Sequence, residues 1–192
     1  LATWAATGVP TPMYSSLEQR AADIEAGSHC AGSELAAWFA STAAALLAAW
    51  EGLSEAAWQA PVVTAQGRTV PASETPWMRT REVMVHAVDL GTGVTFDDLP
   101  ADFLLALGED IVGKRAAAPM VGSPDIQVCP TAAGADADGV CWMLPGTEPG
   151  TPITVTGPLA ACTAYLAGRG DASLTASRDE HTTPIPSLAA WL

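Results

Sequence analysis

The apolar residues of this chain follow two different periods. Up to about residue 120 they recur every three to four positions, as on helices with one apolar face, and beyond it they alternate over short runs, as in strands. The predicted helices of the first part cover residues 15–25, 33–51, 76–90 and 100–117, and residues 61–70 form an extended excursion with a Gln66-Gly67 turn. In the second part, predicted strands cover residues 126–129, 140–144 and 153–156, and a helix covers residues 158–167.

This change of period predicts a mainly α protein with a small α+β part. We expect a helical domain over residues 1–120, a linker rich in Pro and Gly over residues 118–124, and a small α+β domain over residues 121–192. With 192 residues, the chain is long enough to bury the core of one or two small domains.

The predicted helix over residues 76–90 carries the main candidate site. Glu82 and His86 lie four positions apart and therefore share one face. Most other residues of this helix are apolar, which predicts that it is buried. Burying an unpaired carboxylate or imidazole is costly, so the pair needs a partner. That partner is either a divalent metal ion, which both groups commonly bind, or an ion-pair network with Arg79 or Arg81. The spacing alone leaves both interpretations open.

Composition excludes several classes of protein. The net charge of −13 argues against binding to nucleic acid, because phosphate groups would be repelled. The apolar runs are too short to span a bilayer, and no secretory signal is visible, so we expect a cytoplasmic protein. The four cysteines form no CxxC pair and fit no disulfide framework. We therefore expect free thiols in a reducing compartment.

Several runs of residues resemble a known family. They are GVPTPMY over residues 8–14, VPASETPWMRTREVMVHAVDL over residues 70–90, FDDLPADF over residues 96–103, and a closing segment over residues 157–169. Together they resemble the mycothiol-dependent maleylpyruvate isomerase family. The resemblance implies a DinB-like four-helix bundle that holds a divalent metal, normally zinc, followed by a small C-terminal domain. It also implies that Glu82 and His86 are two of the metal ligands.

The start of the chain departs from the pattern of that family. The family's third ligand is a histidine of the first helix, upstream of the loop that matches residues 8–14. The chain opens at Leu1 without an initiator Met. We expect that it lacks the start of its first helix, with the third ligand upstream of Leu1; the alternative is a variant with a broken site. In the first case, Leu1 and Trp4 pack against the helix over residues 33–51, whose apolar face loses cover.

The resemblance implies cis–trans isomerisation of maleylpyruvate to fumarylpyruvate with mycothiol. Addition of the thiol makes the cis double bond single, so that it rotates before elimination gives the trans product. In the family an arginine of the C-terminal domain faces the metal cleft, and Arg169 is the matching candidate to bind a substrate carboxylate, with Arg79 next. Asp89, one turn beyond His86, is a candidate to orient the imidazole ring.

Two other functions stay open from the sequence. The first is a mycothiol S-transferase that acts on electrophiles through the same metal site, and the second is a non-catalytic bundle that has lost its metal and binds a ligand or partner. We expect a small-molecule substrate and a small thiol as partners, and a monomer. His29 and His181 are expected on the surface rather than at the site.

Overall fold

The structure is a computed structural model that describes every residue except 118, 132–138, 171 and 192. Packing divides the chain into two compact units, Leu1–Thr80 and Arg81–Leu192. The first unit is helical apart from one short hairpin, and the second combines helices with a five-stranded sheet. The mainly α fold with a small α+β part is thereby confirmed. The domain boundary expected at residue 120 stays a prediction.

Four helices open the first unit: α1 (Ala2–Thr7), α2 (Leu17–Ser28), α3 (Gly32–Glu51) and α4 (Glu55–Trp58). Serine hydroxyl groups cap two of them. Ser16 Oγ accepts a hydrogen bond from Gln19 N at 3.1 Å, and Ser54 Oγ accepts one from Ala57 N at 3.2 Å. Each cap satisfies a backbone N–H that has no partner inside the helix. The sequence placed α2 over residues 15–25, which is two to three residues too early.

Helix α3 leaves much of its apolar surface open to solvent. It ends before Gly52, as predicted, and the Glu34 carboxylate caps its start by accepting a hydrogen bond from Ala31 N at 3.0 Å. Trp38 and Phe39 are 56% and 54% exposed, and no residue of α2 or α3 is buried. The predicted four-helix bundle therefore stays a prediction. In the part of the chain that the structure describes, no helix is long and apolar enough to cross a membrane.

A small apolar cluster around the hairpin holds the first unit together. Strands β1 (Pro61–Val63) and β2 (Thr69–Pro71) pair antiparallel, with Val62 opposite Val70. The turn between them contains Gly67, as predicted, with a positive φ of 80° that favours glycine. The cluster consists of these two valines, Ala5 and Ala72, with Leu1, Trp4, Leu53, Trp58, Ala60 and Met78 partly buried around them. The residues at the start of the chain thus pack on the hairpin, while α1 also contacts α3.

Helix α5 (Thr75–Asp89) begins in the first unit and continues into the second. Gly91 follows its end with a φ of 64°, the left-handed conformation expected after a helix. Val85 is fully buried, but the side chains of Glu82 and His86 are 45% and 50% exposed. The expectation of a helix buried on nearly all sides is therefore wrong: Val85 and Arg81 are buried, but Val83 is 36% exposed and the side chains of Glu82 and His86 are about half exposed.

The second unit is built on a five-stranded sheet. Its strands are β3 (Ile126–Pro130), β4 (Trp142–Leu144), β5 (Ile153–Gly157), β6 (Thr175–Arg178) and β7 (His181–Thr182). The order in the sheet is β4-β3-β5-β6-β7, with β3 and β5 parallel and the other neighbours antiparallel. The sequence predicted β3, β4 and β5 but missed β6 and β7, which are short and mostly polar.

Two helices of the second unit complete its core. They are α6 (Ala101–Arg115), which follows a 3₁₀ turn over Phe96–Asp98, and α7 (Leu159–Leu166). Leu107 of α6 is fully buried, and α6 packs against α7 and β4. Gly108 lies directly under the indole of Trp142, where a Cβ atom would overlap the ring. Glycine at this position therefore lets the helix approach the sheet closely.

The cysteines differ from the expectation of four free thiols. Cys129 and Cys141 form a disulfide, while Cys30 is free and exposed and Cys162 is free and buried. Val128 of β3 pairs with Trp142 of β4, so the next two residues along the antiparallel pair are these cysteines. The separation of 12 residues between the two cysteines in the sequence does not reveal that they pair, because it is the register of the two strands that brings them together.

Candidate metal centre

Glu82 and His86 form the centre of the candidate site. One turn of α5 separates them, and His86 Nε2 lies 3.2 Å from Glu82 Oε2. About half of each side chain is exposed, so both are open to a small molecule from solvent. The sequence predicted that these two groups lie side by side on a buried face; the helix places them side by side, but that face is about half exposed.

The second ring nitrogen of His86 also has a partner. Asp89 lies three residues further along α5, and its Oδ2 is 2.8 Å from His86 Nδ1. The imidazole is thus held between two carboxylates, one at each nitrogen. A proton on Nδ1 donated to Asp89 leaves the lone pair of Nε2 directed toward Glu82.

Arg169 holds Asp89 from the other side. Its Nε donates to Asp89 Oδ1 and its Nη2 to Asp89 Oδ2, both at 2.8 Å, which is the two-bond geometry that guanidinium and carboxylate favour. Its Nη1 donates to Ala167 O at 2.9 Å and to Trp191 O at 2.6 Å. Arg169 was predicted to bind a substrate carboxylate, but in this structure its fork is occupied by Asp89.

This contact also favours the charged form of Asp89. The hydrogen bond from Arg169 is the largest cause that lowers the pKa of Asp89 from 3.8 to about 2; partial burial opposes it, and the hydrogen bond with His86 adds to it. Asp89 therefore stays ionised to lower pH than an unpaired aspartate, and its carboxylate accepts hydrogen bonds from Arg169.

The pair of donors fits a divalent metal ion. In a tetrahedral site with bonds of about 2.0–2.1 Å to nitrogen and oxygen, two neighbouring donor atoms lie about 3.3 Å apart. The 3.2 Å between His86 Nε2 and Glu82 Oε2 agrees with this value. Imidazole held through its other nitrogen by a carboxylate is also a common arrangement of zinc ligands. Among the described residues, no group of three or more His, Cys, Asp or Glu is placed to hold a metal, so a metal bound here would have Glu82 and His86 as its ligands from these residues.

The alternative interpretation assigned Glu82 to an ion pair with Arg79 or Arg81. Arg81 instead pairs with Asp110 at 2.6 Å and is almost fully buried. Arg79 lies over the ring of Phe39, 5.5 Å from its centroid. Neither arginine therefore pairs with Glu82; the ion pairs at this site run from Glu82 through His86 and Asp89 to Arg169.

The other two histidines lie on the surface, as expected. His29 pairs with Glu25 at 3.0 Å, and both side chains are about three-quarters exposed. His181 is exposed in β7, where its Nδ1 contacts the backbone oxygen of Asp179.

Comparison with known proteins gives the family. A family model described as the mycothiol maleylpyruvate isomerase N-terminal domain matches residues 1–91. The fold is similar to a crystal structure of the mycothiol-dependent maleylpyruvate isomerase, with 37% sequence identity and a TM-score of 0.79. The match covers 99% of this chain and 74% of that chain. This chain belongs to the mycothiol-dependent maleylpyruvate isomerase family.

A second similar structure is that of a histidine-to-alanine variant of the same isomerase, with the same identity and TM-score. A comparison with curated proteins gives no match. The family predicted from the sequence is confirmed. The roles of Glu82, His86 and Arg169 in this isomerase family member stay predictions. The sequence did not reveal the contacts of Arg169 with Ala167 and Trp191, since they are made through backbone carbonyl groups that no residue pattern marks.

Proposed function

We propose that the protein catalyses the mycothiol-dependent isomerisation of maleylpyruvate to fumarylpyruvate, with a divalent metal ion, zinc in the first instance, bound by Glu82 and His86. The observation that carries the proposal is the geometry of this pair in a member of the family. The donor atoms are 3.2 Å apart, the side chains are half exposed, and the second ring nitrogen of His86 is held by Asp89.

A structural role alone explains this arrangement less well. An exposed ion pair contributes roughly 0–1 kcal/mol to stability, so stability gives little reason to place two carboxylates around one half-exposed imidazole. A metal site does give a reason, because a ligand ring must present one nitrogen in a fixed direction.

The residues of the chain have distinct tasks in this proposal. Glu82 and His86 bind the ion, whose chemistry when bound is to favour the thiolate form of a thiol at its open position. Asp89 keeps the His86 ring in place. Arg169 stays our candidate for the substrate carboxylate, with Arg79 next. In the structure, substrate would have to displace a present partner of Arg169, or use its remaining N–H.

The test uses the complete natural protein. We expect one divalent ion per chain by elemental analysis, and conversion of maleylpyruvate when mycothiol is supplied. His86→Ala and Glu82→Ala each remove a ligand, so both variants should lose the ion and the activity. His29→Ala is the matched control, because it removes the histidine of a similar Glu–His pair and should change neither measurement.

Two outcomes would favour the other functions. Turnover of a generic electrophile such as a bromobimane with mycothiol, together with no turnover of maleylpyruvate, indicates an S-transferase. Protein that stays free of metal in excess zinc contradicts the metal site and favours a non-catalytic binding protein.

A further inference from the structure

Two pairs of Glu and His lie four residues apart in this chain, one on α5 and one at the end of α2, and they differ in one respect. The distance is 3.0 Å for Glu25 and His29 and 3.2 Å for Glu82 and His86. Three residues beyond His86 stands Asp89, which contacts its second nitrogen, whereas three residues beyond His29 stands a glycine. Of these two pairs, the one at the candidate metal centre thus has a second carboxylate on its imidazole and the other does not.

The carboxylate of Asp89 is itself held firmly. Both of its oxygens accept hydrogen bonds from Arg169, at 2.8 Å each. The Arg169 side chain is only 14% exposed, and its remaining contacts are with the carbonyl oxygens of Ala167 and Trp191. Three separate groups therefore fix the position and orientation of the Arg169 guanidinium.

Trp191, near the end of the chain, is anchored as well. Its backbone N–H donates to Ala167 O at 3.0 Å. The guanidinium of Arg81 lies 5.0 Å from the centroid of the Trp191 ring, and the ammonium of Lys114 lies 4.9 Å from it. Cations over an aromatic ring are attracted by its negative face. The carbonyl group that Trp191 offers to Arg169 is therefore on a fixed segment.

We propose that Arg169 and Asp89 are positioning residues that hold His86 with Nε2 presented to the metal. Asp89 accepts a hydrogen bond from the Nδ1–H, which selects the tautomer with a free lone pair on Nε2, and Arg169 keeps Asp89 in the required position. This inference rests on the proposed metal site and goes beyond it, since it gives Arg169 a role other than binding substrate.

The experiment measures the dissociation constant of Zn²⁺ by competition with a chromophoric chelator, without substrate or thiol. Loss of a residue that holds a metal-binding histidine typically weakens metal binding by about 10–100-fold. We expect a loss in that range for Asp89→Ala and a smaller loss for Arg169→Gln. Arg169→Lys should rescue little, because a single ammonium group cannot make the two-bond contact. Asp89→Asn, which keeps the size of the side chain, serves if the alanine variant does not fold.

Two controls separate positioning from a general effect on structure. Asp97→Ala removes an exposed carboxylate eight residues beyond Asp89 and should leave Zn²⁺ affinity unchanged. The denaturation midpoint of each metal-free variant shows whether the fold is intact. In addition, ¹⁵N NMR of the His86 ring in the zinc-loaded protein should show a proton on Nδ1, with exchange of that proton faster in the Asp89 variants.

The possible results are distinct. Zn²⁺ affinities of the Asp89 and Arg169 variants within twofold of the native protein overturn the inference. An unchanged affinity with a raised KM for maleylpyruvate in Arg169→Gln overturns its positioning role and makes Arg169 a substrate-binding residue. If the native protein does not bind Zn²⁺, or if His86→Ala binds it equally well, the proposed metal site itself is wrong.

Discussion

At the scale of single residues, the sequence predicted those parts of the site that lie close together along one helix. Glu82, His86 and Asp89 follow helical spacing, so their neighbourhood is fixed once the helix forms. The contact between Asp89 and Arg169 joins residues 80 positions apart, and it depends on how α7 and the C-terminal segment pack. A single sequence contains no pattern for such a contact. Family resemblance identified Arg169 as a candidate, but it did not reveal its partner.

The two free thiols give a prediction at this scale. Burial disfavours the thiolate and raises the pKa of Cys162 to about 11, whereas Cys30 is exposed. Since the thiolate is the reactive form, a maleimide should modify Cys30 in the folded protein between pH 7 and 9 and leave Cys162 unmodified. Mass spectrometry after timed labelling measures this, and Cys30→Ser should remove the rapid phase. Equal labelling rates for the two thiols would contradict the described burial.

At the scale of elements, periodicity predicted where most helices and strands lie. It failed for the strands that form only because they pair with a neighbouring strand. Strands β6 and β7 are mostly polar and only four and two residues long, so they carry no strand signal of their own. They form because β5 offers an edge with which β6 pairs. The disulfide between β3 and β4 was missed for the same reason, since strand register depends on tertiary packing.

The glycines of α6 test how closely that helix packs. A Cβ atom at position 108 would overlap the ring of Trp142, whereas one at position 113 would meet no neighbour. We expect Gly108→Ala to destabilise the fold by about 1–3 kcal/mol through overpacking. Gly113→Ala, the matched control in the same helix, should stabilise it by about 0.5–1 kcal/mol, because alanine loses less conformational freedom. Urea denaturation followed by circular dichroism gives both values. Changes of the same sign and size at both positions would refute the close approach.

At the scale of the whole molecule, the surface combines a strong negative charge with an open apolar face. The net charge is −13, while α3 exposes Leu35, Trp38, Phe39 and Leu47 by 37–56%. The sequence predicted the length of α3 and its apolar positions correctly, but it did not predict that these apolar side chains would be exposed. Periodicity shows which face of a helix is apolar, and only the packing of other elements shows whether that face is covered. Exposed apolar side chains of this kind promote association, which charge repulsion between chains opposes.

This face gives the last prediction, which concerns the 192-residue chain in solution. The chain should bind a hydrophobic dye such as ANS in its folded state, and it should self-associate more as salt screens the charge repulsion. Replacing Trp38 and Phe39 by Gln should lower both signals and change the free energy of unfolding by less than about 1 kcal/mol, since both side chains are more than half exposed. Leu90→Gln is the matched control: Leu90 is 75% exposed outside α3, and its loss should leave dye binding unchanged. Dye fluorescence and sedimentation velocity measure the two effects. Dye binding that is equal in the native chain and the double variant would show that α3 is covered in solution.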